Sequence, residues 1–297
     1  MSHWREFFDE SILRRLDRLK VAPKAYARPM GRGSRAGRFV GDGLEFADHR
    51  PYVLGDDPRY IDWHCYARAQ KLLLRMFHQH SEADIAVMLD VSSSMRAGDD
   101  IHKFNYARSV AAAMAYVAMG GHERVLIIPF SDDIKPAHRT GRNRSGIFGA
   151  LEFLAGLVPS GTTRLLHCVQ RALGEHRSVG SVIVVSDLLD CDDLARPMDR
   201  LRLSGIASSI VHVFSSGDSN PDMRGELLLE HAETRQRLVI SRSNELIQEY
   251  RREWDKFQEN CRRQCLAGGS MYVAAPTDGD LERLVFSAMP AAGIFES

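Results

Sequence analysis

The chain has 297 residues, with 39 basic and 39 acidic side chains, so its formal net charge is zero; 44% of residues are hydrophobic and 26% charged. That length and composition describe a globular chain of one large or two modest domains with ample core, and the charge balance argues against a whole-molecule nucleic-acid binder. The five cysteines are too scattered for a disulfide framework, and the longest clean apolar run, Val110 to Met119, is about half of what a bilayer crossing needs; no membrane span and a cytoplasmic location are expected.

In chain order, Trp4, Phe8, Ile12, Leu16 and Leu19 recur at helical spacing between charges, which predicts an opening amphipathic helix rather than a secretory segment. Residues 21–43 are rich in Gly, Arg and Pro, and Lys24, Arg28, Arg32, Arg35 and Arg38 precede the first acid, Asp42. Such an arm could touch phosphates; the alternative is a linker or an arm packed on an acidic neighbour. Residues 44–80 alternate between turns and short strands, with Gly55-Asp56-Asp57-Pro58 as the strongest turn signal and a strand that would put His78 and His80 on one face. Neither that pair nor Cys261 and Cys265, four apart in a predicted helix, has the further ligands a zinc site needs.

From residue 84 the rhythm becomes strand–helix alternation. Apolar strands are predicted at 85–91, 124–130, 181–186, 208–214 and 271–275, with helices at 103–119, 145–157, 164–173, 193–203, 244–266 and 280–289, a short edge strand after Ser131-Asp132-Asp133 and a hairpin within 227–240. This pattern defines an α/β fold, a doubly wound, mostly parallel sheet, preceded by a small β-rich subdomain and an N-terminal helix. The expected division is 1–40 for helix and arm, 41–83 for the small segment and 84–290 for the main domain. Sheets of this kind bind ligands outside the carboxyl ends of their strands, where strand order reverses, and two central strands end in Asp90 and Asp187.

Asp90-Val91-Ser92-Ser93-Ser94 leaves the first main strand with oxygen side chains at every second position. Mg²⁺ is small and hard and takes oxygen ligands in a tight octahedron, and one carboxylate with two hydroxyls suits it while leaving places for water. Gly161-Thr162-Thr163 lies in a later loop before a helix, and Asp187 closes a later strand. The alternative is a loop whose Asp and Ser side chains only bond nearby backbone N–H groups and cap the next helix, and Asp187 could equally cap the helix beyond Asp190.

Together, Asp90-x-Ser92-x-Ser94, the loop threonine and Asp187 resemble the metal-ion-dependent adhesion site of von Willebrand factor A domains, over about residues 84–290. The resemblance implies that Asp90, Ser92, Ser94 and Thr163 (Thr162 being the alternate) hold Mg²⁺ or Mn²⁺ directly or nearly so, with Asp187 acting through water. A second match is more specific. Gly43-Leu44-Glu45-Phe46, Arg50-Pro51-Tyr52, Gly55 to Trp63 and Ala67-Arg68 resemble the signature of the bacterial domain of unknown function 58 family, many of whose members begin with membrane helices. That resemblance implies a chaperone-like or assembly role beside a MoxR-type AAA+ ATPase. Within this segment Asp56, Asp57, Asp62, Trp63 and Arg68 form either a partner surface or a set of turn residues and ion pairs.

The expected function is therefore a Mg²⁺-dependent protein-binding module whose partner presents Glu or Asp. An enzyme is the rival: Asp90 could serve as a phosphoryl-accepting nucleophile beside Mg²⁺. A haloacid-dehalogenase-like site would want an acid where Ser92 stands, and neither a phosphate-cradling Gly-x-x-x-x-Gly-Lys loop nor a Gly-x-Ser-x-Gly elbow occurs. Nucleic-acid binding through the basic arm is the other rival.

Overall fold

The computed structural model describes residues 7–8, 10–22, 38–40, 45–53, 56–78, 84–96, 103–189, 193–221, 226–230, 236–241 and 244–296. In order, the elements are α1 Glu10–Leu16, β1 Lys20–Val21, β2 Arg38–Val40, β3 Glu45–Pro51, α2 Trp63–Ala69, β4 Leu73–His78, β5 Asp84–Asp90, α3 Lys103–Gly120, β6 Val125–Phe130 and β7 His138–Arg139. They continue with α4 Ile147–Ala155, α5 Leu165–Glu175, β8 Val179–Ser186, α6 Ala195–Leu203, β9 Ala207–Phe214, α7 Ser216–Ser219, β10 Glu226–Glu230, β11 Arg237–Ser241, α8 Asn244–Ala267 and β12 Met271–Pro276. A closing helical segment with a π turn at Leu284–Ala288 leads to β13, Phe295–Glu296. By their contacts these form two compact units, one of Met1–Pro29 with Ala83–Ser297 and one of Met30–Glu82.

The larger unit is an α/β layer structure on a six-stranded sheet of order β12-β9-β8-β5-β6-β7. All neighbours are parallel except the edge pair β6 and β7. Every residue of β5, β6 and β8 is buried, as expected of strands covered on both faces. The period of two divides β5 between two cores. Ile85, Val87 and Leu89 pack with α3, α4 and the closing segment, whereas Ala86 and Met88 pack with α5, α6 and Cys261 and Cys265 of α8. Each fully buried Leu, Ile or Val contributes about 1.5–3 kcal/mol through the apolar area it removes from water.

The N-terminal helix belongs to this unit. Phe7, Phe8, Leu16, Leu19 and Val21 join the same core as Ile85, β1 pairs with β13, and Asp17 accepts from Tyr116 Oη at 2.8 Å and pairs with Arg144 at 2.8 Å. The segment from α1 to β1 is thus tied to α3 and to β13, and α1 packs into the core of this unit.

The smaller unit is a three-stranded antiparallel sheet, β2-β4-β3, with α2. Turns and strands alone are expected here from the sequence; α2 is the difference. Its seven residues are too few to show helical periodicity, but its start is signalled by Asp62, whose carboxylate caps it by accepting from the His64 and Cys65 N–H groups. Lys24, Arg28, Arg32, Arg35 and His80 lie outside the described residues.

Candidate metal centre

β5 and β8 are adjacent, and their crossovers run to opposite sides, β5 to β6 and β8 to β9. The reversal opens a crevice at their carboxyl ends, where Asp90 and Ser186-Asp187 end the two strands. The loop after β5 bends sharply into a 3₁₀ turn, Ser93–Arg96. The Ser92 N–H donates to Asp90 Oδ1 at 2.8 Å, which fixes the bend and turns Ser92 Oγ to 2.9 Å from Ser94 Oγ. A second loop is strapped onto the first: Ser160 N–H donates to Val91 O at 2.6 Å and Ser93 N–H to Gly161 O at 2.9 Å. This strap brings Thr163 Oγ1 to 3.5 Å from Asp90 Oδ2, while Thr162 is exposed.

Gly161 makes the strap possible. Its φ is +88°, and an added Cβ would stand 3.1 Å from Ser131 Oγ and 3.2 Å from Asp132 Oδ1. Gly161→Ala is therefore expected to destabilise the protein by about 1–3 kcal/mol through left-handed strain and crowding, read as a lower urea midpoint at unchanged slope.

Asp90 and Ser92 are fully buried, and Ser94 and Asp187 nearly so, at 3% and 1% exposure. Among the described residues Asp90 is hydrogen-bonded by hydroxyls and a backbone N–H; Ser186 Oγ donates to its Oδ2 at 2.6 Å. Burial, and next the charge of Asp187, push the Asp90 carboxyl up to about 7, against the hydrogen bonds from Ser186 and Ser92. Asp187 is answered by Lys103, whose Nζ lies 2.7 Å from Asp187 Oδ2 and 3.2 Å from Asp218 Oδ2 at zero exposure. Burial alone would depress this ammonium, but Asp187 and Asp218 outweigh it and hold it above its ordinary value. Among the described residues, the cleft between these groups thus holds three carboxylates and one ammonium.

Sequence reasoning singled out Asp90, Ser92, Ser94, Thr163 and Asp187, and the fold brings the first four together with Asp187 beside them. It did not single out Ser186, Lys103 or Asp218. Lys103 carried a signal: it stands four residues before Ala107, on the stripe of α3 formed by residues 107, 110, 111, 114, 117 and 118, so a charge there had to be buried and paired. Asp218 had none, since it comes from the short α7 beyond β9. Leu188, fully buried just after Asp187, takes φ +57°, and its N–H donates to Ser186 Oγ at 3.0 Å. A bulky residue in that region signals local strain at the crevice.

The acids of the smaller unit expected as a partner surface are each engaged by a neighbouring basic side chain. Asp56 pairs with Arg50 at 2.8 Å, Asp57 with Arg59 at 2.6 Å, and Asp62 with His49 at 2.8 Å. Hydrogen bonds from these basic partners lower all three carboxyls, Asp62 to about 2. Trp63 is exposed and meets Tyr66 edge-on at 6.1 Å between centroids, and Arg68 is exposed on the same helix.

The donor set fits a hard divalent ion. In an octahedron with bonds of about 2.0–2.1 Å, neighbouring ligands lie roughly 2.9 Å apart, the separation of the two serine hydroxyls. Asp90 is a buried carboxylate with no cationic side chain among the hydrogen bonds and ion pairs of the described residues, so a cation there would offset the burial of its charge.

The fold and this crevice define the class: an open, doubly wound α/β domain with an oxygen-lined site at its topological switch point. The chain belongs to the family described as protein of unknown function DUF58, which matches residues 48–263. An uncharacterized protein of Mycobacterium tuberculosis is 25% identical over 230 residues, covering 76% of this chain and 72% of the relative. Among solved structures, the conserved hypothetical protein BatB of Bacteroides thetaiotaomicron is 17% identical with a TM-score of 0.43, covering 71% of this chain and 98% of that one. A von Willebrand factor type A protein of Catenulispora acidiphila is 10% identical with a TM-score of 0.39, covering 74% and 43%. Among the described residues no helix is long and apolar enough to cross a membrane.

Proposed function

We propose that this chain is a Mg²⁺-dependent protein-binding module rather than an enzyme. The observation that carries the reading is the convergence of Asp90, Ser92, Ser94 and Thr163 at the switch-point crevice, around a carboxylate that no cationic side chain among the described residues answers. Asp90 would supply the charge, and Ser92, Ser94 and Thr163 the neutral oxygens; Mn²⁺ would be held by the same set. Asp187, already neutralised by Lys103, would act from outside the contact sphere. Bound Mg²⁺ would supply a hard Lewis-acidic centre with a position open to a carboxylate from outside. With one anionic ligand the site keeps net positive charge toward that carboxylate, which favours a partner presenting Glu or Asp. A MoxR-type AAA+ ATPase is the partner class implied by the signature in residues 43–68, and the cytoplasm the matching location.

Calorimetric titration of Mg²⁺ or Mn²⁺ into the wild type is expected to give a saturable one-site isotherm that Asp90→Ala abolishes. Capture of the partner is expected to be lost in EDTA and restored by Mg²⁺. Equal heats from wild type and Asp90→Ala would overturn the metal site. Capture indifferent to EDTA would overturn metal-mediated recognition.

A further inference from the structure

A second group of ligands lies in the smaller unit, built independently of Asp90. Asp62 ends the link before α2 and caps it: Oδ1 accepts the N–H groups of His64 at 2.9 Å and Cys65 at 3.0 Å. That use of Oδ1 fixes the carboxylate and aims Oδ2 at His49 on β3, whose Nε2 lies 2.8 Å away. Cys65, in the first turn of α2, places its Sγ 3.6 Å from the same nitrogen. The three ligand atoms all lie within 4.8 Å of one another. Exposure of the His49 and Asp62 side chains is 28% and 15%, so the group is sheltered yet reachable.

Both Asp62 and Cys65 address one nitrogen of His49. A nucleophilic triad needs the imidazole between its partners, with the acid on one nitrogen and the nucleophile on the other, so His49 does not stand between Cys65 and Asp62 as a triad's base does. Convergence on one nitrogen is instead the geometry of three ligands around a common point. We propose that His49, Asp62 and Cys65 form a binding site for Zn²⁺, with the fourth position open to water or an incoming ligand. The mixture of imidazole, thiolate and carboxylate selects zinc over magnesium, which takes oxygen alone. Tetrahedral bonds of about 2.0 Å to nitrogen and 2.3 Å to sulfur put those atoms roughly 3.6 Å apart, the separation found. The His49–Asp62 contact would open by about half an ångström, a small side-chain rotation, to reach the corresponding nitrogen–oxygen distance. The cap on Oδ1 is the outer support that keeps the carboxylate oriented.

Co²⁺, a spectroscopic substitute for Zn²⁺, tests the site when titrated into the full chain in excess Mg²⁺, which keeps the Asp90 constellation from competing. One equivalent is expected to produce thiolate-to-cobalt charge-transfer absorption and the visible bands of a tetrahedral ion, both removed by Zn²⁺. Cys65→Ser is expected to lose the charge-transfer band, His49→Gln to weaken binding at least about tenfold, and Asp90→Ala to leave both unchanged. Absence of the band in the wild type, or its persistence in Cys65→Ser, would overturn the proposal. Far-UV circular dichroism of each variant separates loss of a ligand from loss of fold. Should Cys65→Ser not fold, Cys65→Ala takes its place in the same titration, and a band that persists there overturns the proposal equally.

Discussion

Lys103→Met is expected to destabilise the larger unit by about 3–5 kcal/mol in EDTA, the range for breaking a buried ion pair from one side. The ammonium is fully buried between Asp187 and Asp218, whose side chains are 1% and 15% exposed, so its removal strands two carboxylates that water barely reaches. Methionine fills a similar volume, which keeps packing loss small and isolates the charge. For a unit of 244 residues each kcal/mol moves the melting temperature by about 2–4 °C, so a drop of roughly 10 °C is expected. Adding Asp187→Asn should recover part of that loss, because the second change removes a charge the first left unanswered. A melting temperature within a degree or two of wild type would show that the pair is not stabilising the crevice.

Asp90→Asn is expected to act in the opposite direction without metal and to abolish the response to it. The folded-state pKa of Asp90 is raised, from 3.8 to about 7, so the folded chain holds this proton more tightly than the unfolded chain. Its stabilising contribution is fully present below about pH 3.8 and is lost as pH rises through about 7. A carboxyl so displaced costs the folded state on the order of 4 kcal/mol to ionise by pH 8, relative to the unfolded chain. In EDTA, Asp90→Asn should therefore gain on wild type between pH 5 and about pH 8, less what the amide loses as an acceptor for Ser186 and Ser92. The proposed Mg²⁺ would bind the ionised form, so the wild-type melting temperature should rise with Mg²⁺ more at pH 8 than at pH 5.5, and Asp90→Asn should not respond at either. A wild-type-minus-Asn difference that is flat across this range would show that Asp90 ionises freely in the fold.

Both effects arise from one arrangement: among the described residues, three acidic side chains stand around a crevice that contains a single ammonium. Lys103 answers Asp187 and Asp218, and Asp90 is left with hydroxyls. A mobile divalent ion, and not a further lysine, is the counter-charge such a site would use if binding is to be switched by the ion's presence.

The amino-acid sequence by itself determined the α/β class, the order of strands and helices from residue 84, and the positions of Asp90, Ser92, Ser94, Thr163 and Asp187 at strand ends and loops. These are local properties: strands buried on both faces read as unbroken apolar runs, the helices carry their own period, and a serine two residues from an aspartate is near it in any fold. What only the tertiary structure decided depends on contacts between distant segments. The approach of Thr163 Oγ1 to Asp90, with Thr162 left exposed, rests on the strap of residues 160–161 to residues 91–93. The salt bridge joining Lys103 to Asp187 and Asp218 spans β5's crossover helix, the end of β8 and α7. The packing of α1 into the main core required β1 to find β13 at the far end of the chain. The convergence of His49, Asp62 and Cys65 required a seven-residue helix whose cap, rather than its periodicity, places its first turn beside a strand. Spacing along the chain encodes the near neighbours; which distant charge answers which is settled only when burial removes the water that would otherwise have answered both.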